Sequence, residues 1–262
     1  MIRQLVVQAP LDEAELAADS LWALGVVAIE ERRTEHDGVI ELWTSVGDDV
    51  EVRVAWPMRW VDVDESVADT WRQFAAPVWV SERLVVCPVW VEFEAPAGAT
   101  VVRIEPGSTF GMGDHPTTRL SLAAVERLVH PGHRVLDVGC GSGVLAIAAA
   151  RFGAAYSEGV DIAPAAVPVT LANARLNGVD VEVSNMPLED VSGTFDVVFA
   201  NILAPVLISL SDELKRVLAR SGRLVISGIL ANNHQHVLDA LVPLRAVRVD
   251  ELDGWVAVEL TW

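Results

Sequence analysis

The chain has 262 residues, 52 % of them hydrophobic, and a formal net charge of −18. That length supports one or two domains with a sizeable core, and the composition excludes a disordered chain. The acid excess repels phosphate backbones, so direct nucleic-acid binding is not expected, whereas a basic partner would be steered toward the surface; solubility alone is the plainer reason for such a charge.

The first residues, MIRQLVVQAPLDEAEL, turn acidic before an apolar signal core can develop. The longest apolar stretch, VVFANILAPVLISL, is interrupted by Asn201 and Pro205 and is too short to span a bilayer, so no membrane contact is expected. The cysteines, Cys87 and Cys140, are far apart and form no disulfide or metal framework, which suits a reducing cytoplasm.

In chain order, RQLVVQ reads as a strand. LDEAELAADSLWALG reads as a helix with Leu16, Leu21 and Leu24 on its apolar face and a stop at Gly25. VVAIEER, VIELWTS and VEVRVAW read as strands. This β-α-β-β-β order predicts a small α+β, ferredoxin-like domain over residues 1–62. Its separate pattern, upstream of a complete catalytic unit, assigns it to substrate recognition. Residues 63–105 read as a linker with a helix from Asp64 to Ala75 and a strand in ERLVVCPVW. Trp71, Trp79 and Trp90 predict that this linker packs rather than dangles.

From residue 106 to 262 strands and helices alternate, which predicts α/β architecture, a parallel Rossmann-like sheet covered on both faces. HRVLDVG, YSEGVDI, VEVS, FDVVFANI and RLVISGI are its expected strands, and SLSDELKRVLARSG is expected as one helix stopped by Gly222. AVRVDELDGWVAVELTW predicts a C-terminal antiparallel hairpin turning at Asp-Gly.

The strongest chemical signal is VLDVGCGSGVLAIAA, residues 135–149. An apolar strand runs into Gly139, Gly141 and Gly143 and then directly into a helix, so a ligand can touch backbone N–H groups. Val144 stands where the dinucleotide pattern needs glycine. The spacing, with Asp137 upstream, instead resembles the first motif of class I S-adenosylmethionine-dependent methyltransferases. Asp161, in GVDIAP at the next strand end, is spaced to accept ribose hydroxyls. Asn201, in DVVFANILAPVL, ends a further strand at the ligand edge of the sheet. Its amide can accept a hydrogen bond from an amine; a turn capping the next helix is the plainer alternative.

EPGSTFGMGDHPTT, LDVGCGSGVLAIAA, GVDIAP, FANILA and LVISGIL occur in this order. Together with RLVVCPVW and DGWVAVEL they resemble the ribosomal protein methyltransferase family that acts on large-subunit protein eleven (PrmA family). The likeness is specific from about residue 71 onward and rests on element order before that. It implies an S-adenosyl-L-methionine-dependent protein-lysine N-methyltransferase, releasing S-adenosyl-L-homocysteine, with a basic ribosomal protein as substrate. It further implies that Phe110, Gly111, Thr117, Thr118, Gly139, Gly141, Asp161 and Asn201 contact the cofactor, and that Asn201 also serves catalysis. Gly111 and Gly113 would let the FGMGDHPTT loop approach it closely. Met112 and Asp114 depart from the family's usual Gly-Thr-Gly-Thr-His. The same fold acting on another protein lysine or a small amine, or a non-catalytic cofactor-binding module, are the competing readings. A nucleic-acid methyltransferase would carry Asn-Pro-Pro-aromatic where this chain has Asn201-Ile202-Leu203-Ala204. His234 and His236 read as helix surface rather than a metal site, His115 as a loop-fixing hydrogen-bonder, and Cys140 as packing. Ser142 lacks a nucleophile-elbow context.

Overall fold

The computed structural model describes residues 2–22, 24, 26, 29–34, 38–46, 52–63, 75–105, 111 and 113–262. The chain divides into two compact units, Met1–Ala75 and Ala76–Trp262.

In the first unit, β1 (Ile2–Pro10), β2 (Ile29–Arg33), β3 (Val39–Thr44) and β4 (Met58–Val63) form an antiparallel sheet in the order β2-β3-β1-β4. Helix α1 (Ala14–Trp22) packs Ala14, Ala17 and Leu21 with Leu5, Val7, Ile40 and Leu42. Those three helix positions share one stripe. Leu16, expected on it, is 61 % exposed, because it stands about 100° around the helix from Ala17.

Within the expected strand VEVRVAW, the described residues, 52–56, form no strand. Val52, Val54 and Trp56 alternate and pack against the core, yet pairing with β1 begins only at Met58, opposite Val7. Pro57 has no N–H to give a ladder; its carbonyl accepts from the Gln8 N–H instead. The alternation there reports burial, not strand pairing. On the same sheet the Glu41 carboxylate accepts from Arg59, Gln8 and Trp43. The Arg59 bond leads in holding this acid down at about 2. The helix expected from Asp64 lies, up to residue 74, outside the described residues.

The second unit starts inside the expected linker. β5 (Val78–Trp79), β6 (Leu84–Pro88) and β7 (Thr100–Ile104) make a three-stranded sheet, and Leu84, Val86, Val102 and Ile104 are buried in the unit's core. The segment 76–105 is therefore part of this unit, not a connector. Two side-chain amides finish its β7 edge. Asn177 Oδ1 accepts from the Arg103 N–H (2.8 Å) while its Nδ2 donates to the Arg103 carbonyl (2.7 Å). Asn173 makes the same pair with Glu105, at 2.9 and 3.0 Å. Each amide stands in for a missing neighbouring strand.

The main sheet contains β8 (Arg134–Val138), β9 (Tyr156–Val160), β10 (Glu182–Ser184), β11 (Phe195–Asn201), β12 (Leu218–Leu230), β13 (Arg245–Leu252) and β14 (Trp255–Thr261). Their order is β10-β9-β8-β11-β12-β14-β13. The first five run parallel, and β14 is antiparallel to both of its neighbours, β12 and β13. Val197 and Phe199 of β11 face a core shared with α2 (Pro116–Leu128) and α3 (Val144–Arg151). Val198 and Ala200 face the other core, closed by α5 (Ala204–Ser209), α6 (Ser211–Val217) and α7 (Gln235–Ala240). A continuous apolar run is what a strand buried on both faces requires. Between them in sequence, α4 (Ala166–Leu176) sends Ala174 into the first core.

The helix expected to stop at Gly222 is two short helices followed by strand from Leu218. Leu218 pairs with Phe195, but Val197 pairs with Arg223. The residues between bulge out of the ladder, which lets a turn-like ARSG sequence sit inside a strand. β13 and β14 meet across Asp253 (φ 50°) and Gly254 (φ 81°), the two left-handed positions of a tight hairpin turn.

Candidate active site

Three carboxyl ends of parallel strands converge. The glycine loop follows β8, Asp161 follows β9, and Asn201 ends β11. The chain order reverses between β8 and β11, and such switch points open a crevice for ligands. Asp161 is fastened there by its neighbours. Its Oδ2 accepts from the Gly141 N–H (2.9 Å) and its Oδ1 from the Ala163 N–H (2.8 Å). A carboxylate has about four acceptor sites, so each oxygen retains capacity for a ligand hydroxyl.

Gly139, Gly141 and Gly143 all have positive φ, at 73°, 53° and 80°. Gly143 is the N-cap of α3 and has no side chain to offer. Asp137 caps the helix in its place, reaching from β8 so that its Oδ2 accepts from the Ala146 N–H at 3.2 Å. The residue is 1 % exposed. Burial pushes its pKa up from 3.8 to about 7, the Ala146 bond opposes this, and the Asp161 charge adds to it. A folded pKa above the unfolded one contributes stability that is complete below about 4 and lost as pH rises through about 7. Asp137→Asn keeps an acceptor for Ala146 without a charge. Its advantage in thermal midpoint over the parent should be small at pH 4 and grow until pH 8, by roughly 2–4 °C for each kcal/mol of differential stability. A difference flat in pH would refute the buried charge.

The second wall is the start of α2. His115 caps it: its Nδ1 accepts from the Thr117 N–H (3.3 Å) and lies 2.8 Å from Thr117 Oγ1. Burial lowers the His115 pKa, with Asp114 opposing, which favours the neutral ring that can accept. The ring also stands edge-on to Trp255, centroids 5.1 Å apart. Thr118 is buried, and its Oγ1 accepts from Asn201 Nδ2 at 3.5 Å.

Ser142 ties the two loops together. Its Oγ donates to the Gly111 carbonyl at 2.7 Å, and a Cβ on Gly111 would lie 2.6 Å from that hydroxyl oxygen. The Ser142 carbonyl is held in turn by Asn173 Nδ2 (2.9 Å), and that of Gly141 by Thr170 Oγ1 (3.1 Å). Nothing in the sequence assigns Ser142, Thr170 and Asn173 a role. Their one signal is spacing, since Thr170, Asn173 and Asn177 fall on a single helical stripe at the end of α4.

The structure thus brings Gly139, Gly141 and Asp161 to one loop cluster, Gly111 onto that loop, and Thr118 onto Asn201. Thr117 is buried, with its hydroxyl on His115 and its carbonyl accepting from Ser227 Oγ at 3.5 Å. Phe110 and Met112 lie outside the described residues. Asn201 does not cap the helix after it, where Leu203 is the N-cap. His234 Nδ1 lies 2.7 Å from the Ala231 carbonyl, and His236 is exposed. Among the described residues no group of three His, Cys, Asp or Glu is placed to hold a metal, and no helix is long and apolar enough to cross a membrane. Cys140 is buried beside Thr170 Oγ1, and burial raises its pKa. Ser184 Oγ, at the end of β10, is buried without a hydrogen-bond partner, while the Ser184 carbonyl accepts from the Asp161 N–H. A pinned carboxylate with acceptor capacity to spare, beside a glycine loop at a switch point, suits a ligand that carries hydroxyl groups.

Residues 4–261 match the family described as ribosomal protein L11 methyltransferase (PrmA). A ribosomal protein L11 methyltransferase of Symbiobacterium thermophilum is 41 % identical over 203 residues, covering 76 % of this chain and 66 % of that protein. Another, from Geobacter sulfurreducens, is 47 % identical over 176 residues, covering 67 % and 58 %. The chain therefore spans less than two thirds of the length of these relatives. Among solved structures, the ribosomal protein L11 methylase of Lactobacillus delbrueckii subsp. bulgaricus superposes with a TM-score of 0.66 at 31 % identity, covering 71 % of this chain and 97 % of that one.

Proposed function

The chain belongs to the ribosomal protein L11 methyltransferase family, and from that premise we propose that it transfers methyl groups from S-adenosyl-L-methionine to amines of ribosomal protein L11. The target atoms are lysine and N-terminal amines. The observation that supports this best is the contact of Asn201 with Thr118 at the sheet's switch point, which joins the two most family-specific motifs beside the loop that Asp161 holds.

The cofactor, when bound, supplies an electrophilic methyl group on a sulfonium. Gly139 and Gly141 would lie along its amino-acid part. The Asp161 oxygens would accept its ribose hydroxyls, and by the family resemblance Phe110, Gly111 and Thr117 would contact it. What the chain itself contributes is alignment and exclusion of water. The attacking amine must be neutral, and a lysine of pKa about 10.4 must first lose its proton. A partly apolar pocket assists by disfavouring the charged form. With Nδ2 of Asn201 engaged by Thr118, the Oδ1 end is offered to an amine N–H.

The first unit has the sheet order of a ferredoxin-like fold, and we assign it to recognition of L11. Sixteen of the chain's 37 acidic residues fall within 1–75, against six of its 19 Lys and Arg. That imbalance suits a basic ribosomal protein, and such a substrate places the enzyme in the cytoplasm. A 76–262 fragment should bind S-adenosyl-L-homocysteine like the full chain yet fail to methylate L11; full activity in the fragment would remove the recognition role. The reaction itself is tested with purified protein, labelled cofactor and unmethylated L11. Label on L11 amines, located by mass spectrometry, is expected, and its absence would overturn the assignment.

A further inference from the structure

We propose that Ile202 is a positioning residue whose γ2 methyl, seated on Gly139 while its backbone lies on Gly228, sets the direction of the Asn201 amide. This rests on the reading of Asn201 as the amine-aligning group. Asn201 is the last residue of β11, paired with Ser227 of β12, and Ile202 is where the chain leaves the sheet. Two glycines meet it, Gly139 directly after β8 and Gly228 inside β12. A Cβ on Gly139 would collide with Ile202 Cγ2. A Cβ on Gly228 would lie 2.5 Å from the Ile202 carbonyl oxygen, 2.9 Å from its carbon and 3.2 Å from its nitrogen. Gly228 also has φ 86°, a conformation that side chains resist. The glycine loop, NILA and the SGI of β12 are therefore one steric set with Ile202 at its centre.

The set matters because Asn201 has little else to hold it. Its bond to Thr118 is 3.5 Å long, at the weak limit for a hydrogen bond. An amide so loosely tied needs a rigid backbone beside it. Isoleucine supplies one, since branching at Cβ stiffens χ1 and fixes where the γ2 methyl points. Ser227 reinforces the platform: it is fully buried, and its Oγ donates to the carbonyls of Val256 (2.9 Å) and Thr117 (3.5 Å). The start of α2 and the end of β11 are thus referenced to the same two residues of β12.

The test uses the full chain, single-turnover methylation of L11, and calorimetric titration with S-adenosyl-L-homocysteine. Ile202→Val and Ile202→Thr keep the γ2 methyl; Ile202→Leu keeps the size but moves the branch. Val and Thr should stay within about threefold of the parent rate, and Leu should be slower by about tenfold or more, as expected for a misplaced aligning group. All three should bind the cofactor product within about threefold of the parent, because the loss falls on the transition state. In an Asn201→Ala background, Ile202→Leu should add no further loss, as expected of a residue acting through Asn201. Equal rates for Leu and Val, or losses that multiply in the double variant, would overturn the proposal. If Asn201→Ala is slow while Ile202→Leu is not, Ile202 alone loses its role. If Asn201→Ala turns over like the parent, the reading of Asn201 falls and the proposal falls with it.

Discussion

Asn201→Ala should bind S-adenosyl-L-homocysteine within a few-fold of the parent and methylate L11 about a hundredfold more slowly in a single turnover, because one lost alignment contact acts in the transition state. The structure sharpens this expectation. Asn201 caps no helix, so its removal takes away no helix-capping bond and should leave the fold nearly intact. Its one described side-chain bond is the long one to Thr118. Asn201→Asp separates the alternatives further. It keeps an acceptor oxygen but adds a negative charge, which favours the protonated, non-nucleophilic amine. The pH optimum of the variant should therefore lie above that of the parent, with much of the rate recovered at high pH. Parent-like rates in both variants, with an unmoved pH profile, would reduce Asn201 to a structural residue.

Much of this is legible in the sequence, for a physical reason. A parallel sheet buried on both faces needs continuous apolar strands, so β8 and β11 announce themselves. A tight strand-to-helix turn needs glycines, and a carboxylate ending the next strand can fasten it, so Gly139, Gly141 and Asp161, which the structure brings together, do too. What stays hidden depends on contacts between distant segments. Val52, Val54 and Trp56 have the alternation of a strand, but Pro57 and the pairing of β1 move the ladder to Met58. Leu218 to Gly222 read as a helix end, yet Leu218 pairs with Phe195 and the following residues bulge. At the site, Ser142 looks inert because its partner is a backbone carbonyl 31 positions earlier. Ile202 looks like ordinary packing because nothing local reveals that Gly139 and Gly228 both close on it. Asp137 stands out as part of a motif, but its capping of α3 follows only from the N-cap being a glycine.

Asp161→Ala should raise the dissociation constant for S-adenosyl-L-homocysteine about ten- to a hundredfold, the loss of a charge-assisted pair worth roughly 1.5–3 kcal/mol. Part of that loss is indirect. In the structure the carboxylate accepts the N–H groups of Gly141 and Ala163, so alanine also frees the loop that would cradle the ligand's amino-acid part. The two contributions can be separated. Asp161→Asn keeps one oxygen for Gly141 or Ala163 but cannot accept two ribose hydroxyls with a full charge. If the ribose interaction dominates, Asn should bind nearly as poorly as Ala. If loop order dominates, Asn should recover most of the affinity and the thermal midpoint should recover with it. The charge also bears on Asp137, whose pKa is raised partly by Asp161. Both Asp161 variants should therefore lower the Asp137 pKa, so that the advantage of Asp137→Asn is smaller and stops growing at a lower pH. Calorimetric titration that finds unchanged affinity in Asp161→Ala would remove this carboxylate from the cofactor site.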